Sequence, residues 1–408
     1  MGDHFTREGY TPTVSTGSDA PSLLDTAVLF LRLGTTAFGG PAAHIALMED
    51  EVVRRRRWLS REQFLDYLGA TNLIPGPNST ELAIHIGMAR QGWPGLLVAG
   101  ACFILPSALI VGMMAWAYVR YGALPQVAGI LDGITPVVIA IVVFALWQLG
   151  RTAVKSSDLA MLGLGALVAL LAGVHELVVL LAAGVVSAFS GGAIPWRRRI
   201  AALAGLAYGW TSLSGWGSGL AAAVASGAAG PTAAFSMWSL FLVFARIGAL
   251  LFGSGYVLVA FLRADVVERL GWLTERQLLD AVAVGQVTPG PLFTTATFVG
   301  YLLGGVTGAA VATVGIFLPA FVFVALSGPL VPRLRRSRVA AAVLDGVNVA
   351  SLAMMAAVTW QLGSATLRAP VPLALAGLSL LLLTRYSINL TWLVAGGATV
   401  GWIFGRSP

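Results

Sequence analysis

Two arginines occupy places where an apolar chain should carry no charge. Arg32 lies inside VLFLRLGTTAFGG and Arg246 inside FLVFARIGALLFGS. A cation at the centre of a bilayer costs at least about 2.5–3.5 kcal/mol on insertion scales, so it needs a partner or a task. Its appearance twice in matching contexts favours an anion site over a structural arginine that bonds backbone carbonyls or snorkels to an interface. Two helix breaks complement the cations: Pro75-Gly76-Pro77 in TNLIPGPNSTEL and Pro289-Gly290-Pro291 in GQVTPGPLFTTA. Breaks at membrane depth survive only where the freed backbone lines protein or a polar cavity. After the first break a helix can restart with Asn78 as N-cap, Ser79 and Thr80 in its first turn, and Glu81 three residues on in a capping-box-like arrangement. Thr294, Thr295 and Thr297 follow the second break. Helix N-termini offer unpaired N–H donors and a positive dipole end, and hydroxyls add uncharged donors. With Arg32 and Arg246 these groups suit a small oxyanion, and Gly39, Gly40 and Gly253 of the nearby glycine motifs complete the candidate substrate-binding set. The competing reading is a pair of kinks that serve packing alone.

Other polar groups occur in one break only. Thr295 stands where Glu81 would be expected, Leu258 matches His44, and His85 lies opposite an apolar stretch. Glu81, His44 and His85 are therefore candidates for proton coupling, because partly desolvated carboxylates and imidazoles can titrate near neutrality. The alternatives are a helix-capping carboxylate and core histidines. Asp66 with Asp280, and Asp132 with Asp345, read as interfacial or arginine-pairing acids at span ends, and Trp58 and Trp272 as interfacial anchors. Asp158, His175 and Glu176 have no matched partner and receive no role. Walker, HExxH and GxSxG motifs are missing from the sequence, and its four histidines lack metal-ligand spacing. The expectation is a non-enzyme with no cofactor and no metal. The single cysteine, Cys102, excludes an intrachain disulfide.

Of the 408 residues 57% are hydrophobic and 11% charged, against roughly 25% charged in a soluble domain. Apolar runs near 20 residues recur along the chain, each long enough to cross a hydrocarbon core of about 30 Å. The expected fold is all-α: a polytopic integral membrane protein with ten to thirteen membrane segments in the lipid bilayer. The net charge of +7 resides almost wholly in arginines of short loops, a pattern of membrane orientation rather than of nucleic-acid binding. The first twenty residues are polar without a basic n-region, so the run from Leu23 reads as a retained span rather than a cleaved signal.

The chain is written twice. Displaced by 214 residues, positions 38–77 match 252–291 at 14 of 40 positions. At an offset of 213, Gly87 falls on Gly300, Pro106 on Pro319, Leu131-Asp132-Gly133 on Leu344-Asp345-Gly346, and Trp147-Gln148-Leu149-Gly150 on Trp360-Gln361-Leu362-Gly363. Two duplicated membrane halves around a central site form a common transporter architecture. The expected divisions are a polar tail (1–21), a first repeat (22–196), a Gly/Ala/Ser-rich linker of open membrane status (197–236) and a second repeat (237–408). In the first repeat a span at Leu23 to Met48 precedes a charged interfacial stretch, Glu49 to Glu62. A broken segment, Gln63 to Arg90, and spans near 95–119, 126–149, 158–174 and 177–195 follow. Each arm of the broken segment is too short to cross alone, and a re-entrant hairpin puts most basic loops on one side. Placing the cluster Arg333, Arg335, Arg336 and Arg338 inside then inverts the second half.

FGGPAAHI, RRRRWLSREQFLD, NLIPGPNSTELAIHIG and AGACFILPSALI, with FGSGYV, GWLTERQLLDAVAVGQVTPGP and GIFLPAF in the second half, resemble the signature blocks of the chromate ion transporter family in its long, two-domain form. The likeness extends over nearly everything from residue 22 onward. It implies an inner-membrane protein that exports chromate and confers resistance, with sulfate as a competing analogue and halves in opposite orientations. In the second half Gly40-Pro41 becomes Ser254-Gly255 and the histidine is lost. Alternatives are uptake or exchange of sulfate or another oxyanion, an intramembrane enzyme, or a membrane scaffold. A homodimer is compatible with any of these.

Overall fold

The computed structural model describes residues 22–37, 40–71, 73–122, 125–174, 176–190, 235–252, 257–386, 388 and 390–404. Among these, the first half contains α1 (Leu23–Thr36), α2 (Gly40–Glu49), a π-helical turn (Asp50–Arg55), α3 (Arg61–Thr71), α4 (Asn78–Tyr121), α5 (Pro125–Ala153), α6 (Ser157–Leu171) and α7 (Glu176–Ser190). The second contains α8 (Met237–Leu250), α9 (Leu258–Leu262), a π-helical turn (Arg263–Arg269), α10 (Glu275–Val287), a 3₁₀ turn (Leu292–Thr294), α11 (Thr295–Arg336), α12 (Arg338–Thr366), α13 (Pro370–Tyr386) and α14 (Leu390–Phe404). The described residues are thus helical throughout, in fourteen α-helices. Most of the linker at 197–236 lies outside them, including all of 197–234.

Matching caps start matching helices. Ser22 with Asp25 and Ser236 with Ser239 form capping boxes before α1 and α8. Ser60 with Gln63 and Thr274 with Gln277 do the same before α3 and α10. Each box satisfies N–H groups that the first helical turn would leave bare.

Among the described residues four helical stretches are long and apolar enough to cross a membrane: Asn78–Tyr121, Gly129–Ala153, Leu292–Ser327 and Arg338–Thr366. Five more apolar helices there have 10–17 residues. Breaks divide several of the expected segments. The expected span Leu23 to Met48 divides where Ala37 turns extended (φ −82°, ψ 98°) and α2 begins at Gly40. Pro41 fits the first turn of a helix but disfavours helical continuation through the residue before it. Next, α4 folds back at Gln91 and Gly92 (φ 63°), and α11 at the equivalent Gly304 and Gly305 (φ 60°). The arm Asn78–Gln91 measures about 21 Å at 1.5 Å per residue, short of a hydrocarbon core.

The stretch expected to be interfacial, Glu49 to Glu62, is largely exposed from Arg54 onward but buries one acid. Its π-helical turn carries Glu51 into the interior, with 6% of the residue accessible. Asp265, its counterpart 214 residues on, is 2% accessible in the second π-helical turn. Arg57 takes the left-handed conformation (φ 51°) that Gly271 takes at the same place in the second half (φ 61°). Trp58 carries the guanidinium groups of Arg56 and Arg90 at 5.1 Å from its ring, and Arg90 donates to its carbonyl.

Each half completes the other. α1 packs on α4, α8 on α11, and α4 on α11. Beyond that centre α5 packs against α13 and α14, while α12 packs against α6 and α7. Small residues permit the close crossings: a Cβ at Gly133 would lie 2.6 Å from the Gly401 Cα, and one at the equivalent Gly346 would lie 2.6 Å from the Ser187 Cβ. Ion pairs join the halves at Arg276–Asp132 (2.8 Å) and Lys155–Asp345 (2.6 Å). Leu97, Leu105, Leu109, Met113 and Trp116 form an exposed apolar stripe on α4, suited to lipid. Overpacking costs about 1–3 kcal/mol, so Gly133→Val should lower the unfolding midpoint of detergent-solubilised protein. Gly150→Val, where open space surrounds the glycine, should leave it unchanged; equal midpoints for the two variants would contradict the close crossing.

Candidate functional site

A Pro-Gly-Pro segment owns one backbone N–H, that of its glycine, because proline has none. In the first half Gly76 N–H donates to the Leu251 carbonyl at 2.8 Å, and in the second Gly290 N–H donates to the Ala37 carbonyl at 3.0 Å. Leu251 is the C-cap of α8 and Ala37 the C-cap of α1. Each break therefore fastens to the end of the other half's first helix. Both glycines adopt positive φ, 141° and 87°, which a side chain would resist.

The arms on either side of each break lie side by side. Tyr67 of α3 stacks on His85 of α4 with ring centroids 5.6 Å apart. A Cβ at Gly285 of α10 would strike the Thr295 hydroxyl of α11. Each break is thus the tip of a helical hairpin, and the crossed bonds tie each tip to the opposite half.

The helix restart differs from the sequence expectation. Pro77, not Asn78, is the N-cap of α4, with φ −79° and ψ 96°, and it makes no side-chain cap bond. A capping box requires an N–H on the N-cap residue, which proline lacks. Glu81 consequently caps nothing: it is fully buried, and both carboxyl oxygens lack a hydrogen-bond partner among the described residues. Its Oε1 lies where a Gly76 side chain would start. The Thr80 hydroxyl and His85 Nε2 are also buried without partners there. His44 is engaged: Nε2 lies 3.0 Å from the Ala37 carbonyl oxygen, Nδ1 lies 3.3 Å from the Ser79 hydroxyl, and its ring meets Phe103 edge-on.

In the second half Pro291 caps a 3₁₀ turn before α11. Thr294 donates to the Pro291 carbonyl at 2.7 Å and Thr295 to the Leu292 carbonyl at 2.8 Å. Ser107 of α4 bonds the Thr294 hydroxyl across the centre at 2.9 Å. Thr297 pairs with Thr313 at 2.7 Å. Gly40 begins α2, and Gly39 and Gly253 fall outside the described residues.

The two arginines flank this centre. Arg32 precedes Ala37 by five residues, and Arg246 precedes Leu251 by five, so each stands about 7.5 Å back along its helix. Each is bonded to a buried acid rather than to a break. Arg32 meets Glu51 at 2.5 Å, and Glu51 also meets Arg55 (3.3 Å) and Arg56 (3.4 Å). Arg246 bonds Asp265, which also meets Arg269 at 3.1 Å. Sequence reasoning missed these acids although they coincide in the 214-residue register; a conservative Glu-to-Asp exchange hides in an identity count. It also placed Asp280 at an interface, whereas the structure buries it and Tyr118 of the first half donates to it at 2.8 Å. Asp132 and Asp345 pair with Arg276 and Lys155 as expected of span-end acids.

A family model described as "Chromate transporter" matches the chain twice, over residues 24–188 and 238–402. The chromate transport protein of Cupriavidus metallidurans is 32% identical over 94% of this chain and 93% of its own length. That of Pseudomonas aeruginosa is 32% identical over 92% and 90%. A probable chromate transport protein of Synechococcus elongatus is 31% identical over 88% and 89%. No solved structure matches the chain. Two copies of one domain, four long apolar helices and full-length likeness to these proteins make this chain a multi-pass membrane protein of the chromate transporter family, a family of transporters and not of enzymes.

Proposed function

We propose that the chain exports chromate across the inner membrane by alternating access and thereby confers chromate resistance. The observation that carries this reading is the crossed pair of helix breaks, each fastened to the end of a helix that carries an arginine five residues earlier, in a chain whose relatives bear the name chromate transport protein. In this reading Arg32 and Arg246 attract a tetrahedral dianion. The starts of α4 and α11, with Asn78, Ser79 and Thr80, complete its donor set, joined by Thr294 and Thr295 when their hydroxyls leave the Pro291 and Leu292 carbonyls, and sulfate competes through the same shape and charge. Outward movement of a dianion from a negative interior releases about 2.3 kcal/mol per charge per 100 mV, or roughly 4.6 kcal/mol for two charges. An ATP-binding motif is therefore unnecessary.

The two hairpins are read as re-entrant and the repeats, 22–196 and 237–408, as inverted about the centre. The reciprocal bonds between each break and the opposite half's first helix support that arrangement. Arg120→Cys and Arg335→Cys, in a Cys102→Ser background, should label from opposite sides of the membrane with an impermeant reagent. Labelling from one side would remove the inversion.

The buried, unpartnered carboxyl of Glu81 favours a coupling step in which this group gains and loses a proton as the site changes sides, with His44 and His85 beside it on the first half only. Glu81→Gln should retain chromate movement driven by an imposed potential and lose its response to an imposed pH gradient. An unaltered response would assign Glu81 a packing role.

Chromate accumulation in inverted vesicles under an imposed potential tests the function itself. Arg32→Ala and Arg246→Ala should each lower it by about tenfold or more, because a hydrogen bond to a charged group contributes roughly 1.5–3 kcal/mol. Wild-type vesicles that accumulate no chromate would sink the export reading.

A further inference from the structure

The proposed function gives no task to Glu51 and Asp265. They occupy equivalent positions, each in a π-helical turn, a rare element that gathers at functional sites. Their side chains are 8% and 3% accessible, while those of their partners Arg32 and Arg246 are 49% and 27% accessible. The acid in each pair is locked in, and the arginine can be reached. A guanidinium carries five N–H donors, and one carboxylate engages two at most. Donors therefore remain for a second acceptor.

Charge in the first cluster points the same way. Around Glu51 stand Arg32, Arg55 and Arg56, and Arg55 also meets Asp50; among the described residues three cations against two acids leave one positive charge. Around Asp265 stand Arg246 and Arg269.

We infer that Glu51 and Asp265 are resident counter-ions of the anion path. Each carboxylate holds its arginine in place when no oxyanion is bound and competes with the oxyanion for the same guanidinium. This inference rests on the reading of Arg32 and Arg246 as the substrate site. A carboxylate oxygen and an oxyanion oxygen present the same acceptor to an N–H donor, so the acid is a built-in rival that keeps the substrate releasable. Strengthening the rival weakens substrate binding, and removing it traps the substrate.

The concentration dependence of chromate uptake into inverted vesicles tests this, with expression followed by immunoblot. Glu51→Gln and Asp265→Asn should each lower the half-saturating chromate concentration by about tenfold, equivalent to about 1.4 kcal/mol, and lower the maximal rate as release slows. Glu51→Asp withdraws the carboxylate and should shift half-saturation down by less; Asp265→Glu advances it and should shift half-saturation up. These exchanges use the residue that the other half already carries, so they decide the matter if the amide variants fail to reach the membrane. Unchanged half-saturation in the variants that do reach it would overturn the inference, as would a rise in Glu51→Gln. Arg32→Ala separates the two readings. If it transports normally, the anion site itself is wrong; if it is inactive while Glu51→Gln keeps wild-type affinity, only the counter-ion is.

Discussion

A backbone N–H buried away from water, as at Gly76 and Gly290, must find an acceptor, and leaving it bare costs free energy comparable to a lost hydrogen bond. Pro-Gly-Pro reduces that demand to one group per break, and the fold sends that group across the molecular centre to the end of the other half's first helix. Much of the central architecture follows from the two bonds. They place the hairpin tips against each other, end α1 and α8 at matching points, and set both arginines at one distance from the crossing. The flanking prolines add no donor that could compete.

The frame is symmetric, but its lining is not. On the first half's side stand His44, Glu81 and His85; the second offers Leu258 and Thr295, with Phe298 or Val299 at the place of His85. Ser107 meets the Thr294 hydroxyl across the centre, and the place equivalent to Ser107 is Ala320. Duplicated backbone groups fix the positions of the breaks, and the polar side chains beside them are not duplicated.

Much of this was legible in the sequence because duplication gave each feature a replicate. The breaks, the arginines and the register of the halves could all be read from paired motifs. Asn78 was misread as a cap because Asn is a strong N-cap type, yet the preceding Pro77 already holds the extended conformation that defines the cap position. The acid at Glu51 was hidden because EDEVVRRRRWLSRE reads as a charged interfacial stretch, and Asp265 because the matching acid there is Asp rather than Glu. Burial of one carboxylate among several arginines depends on a π-helical register that composition does not encode. The exchange of helices between halves was likewise invisible, since periodicity reports which face is apolar but not which partner covers it.

That exchange has a consequence for how the protein is made. α5 is complete at Ala153, and α14, one of the helices that cover it, does not begin until Leu390. At about 5–20 residues per second, the ribosome needs roughly 12–47 s to make the intervening chain. Through that interval Gly129 and Gly133 lack the Gly401 backbone against which they pack. The first half cannot finish folding when its own synthesis ends; both halves are completed together, after the last helix has been inserted.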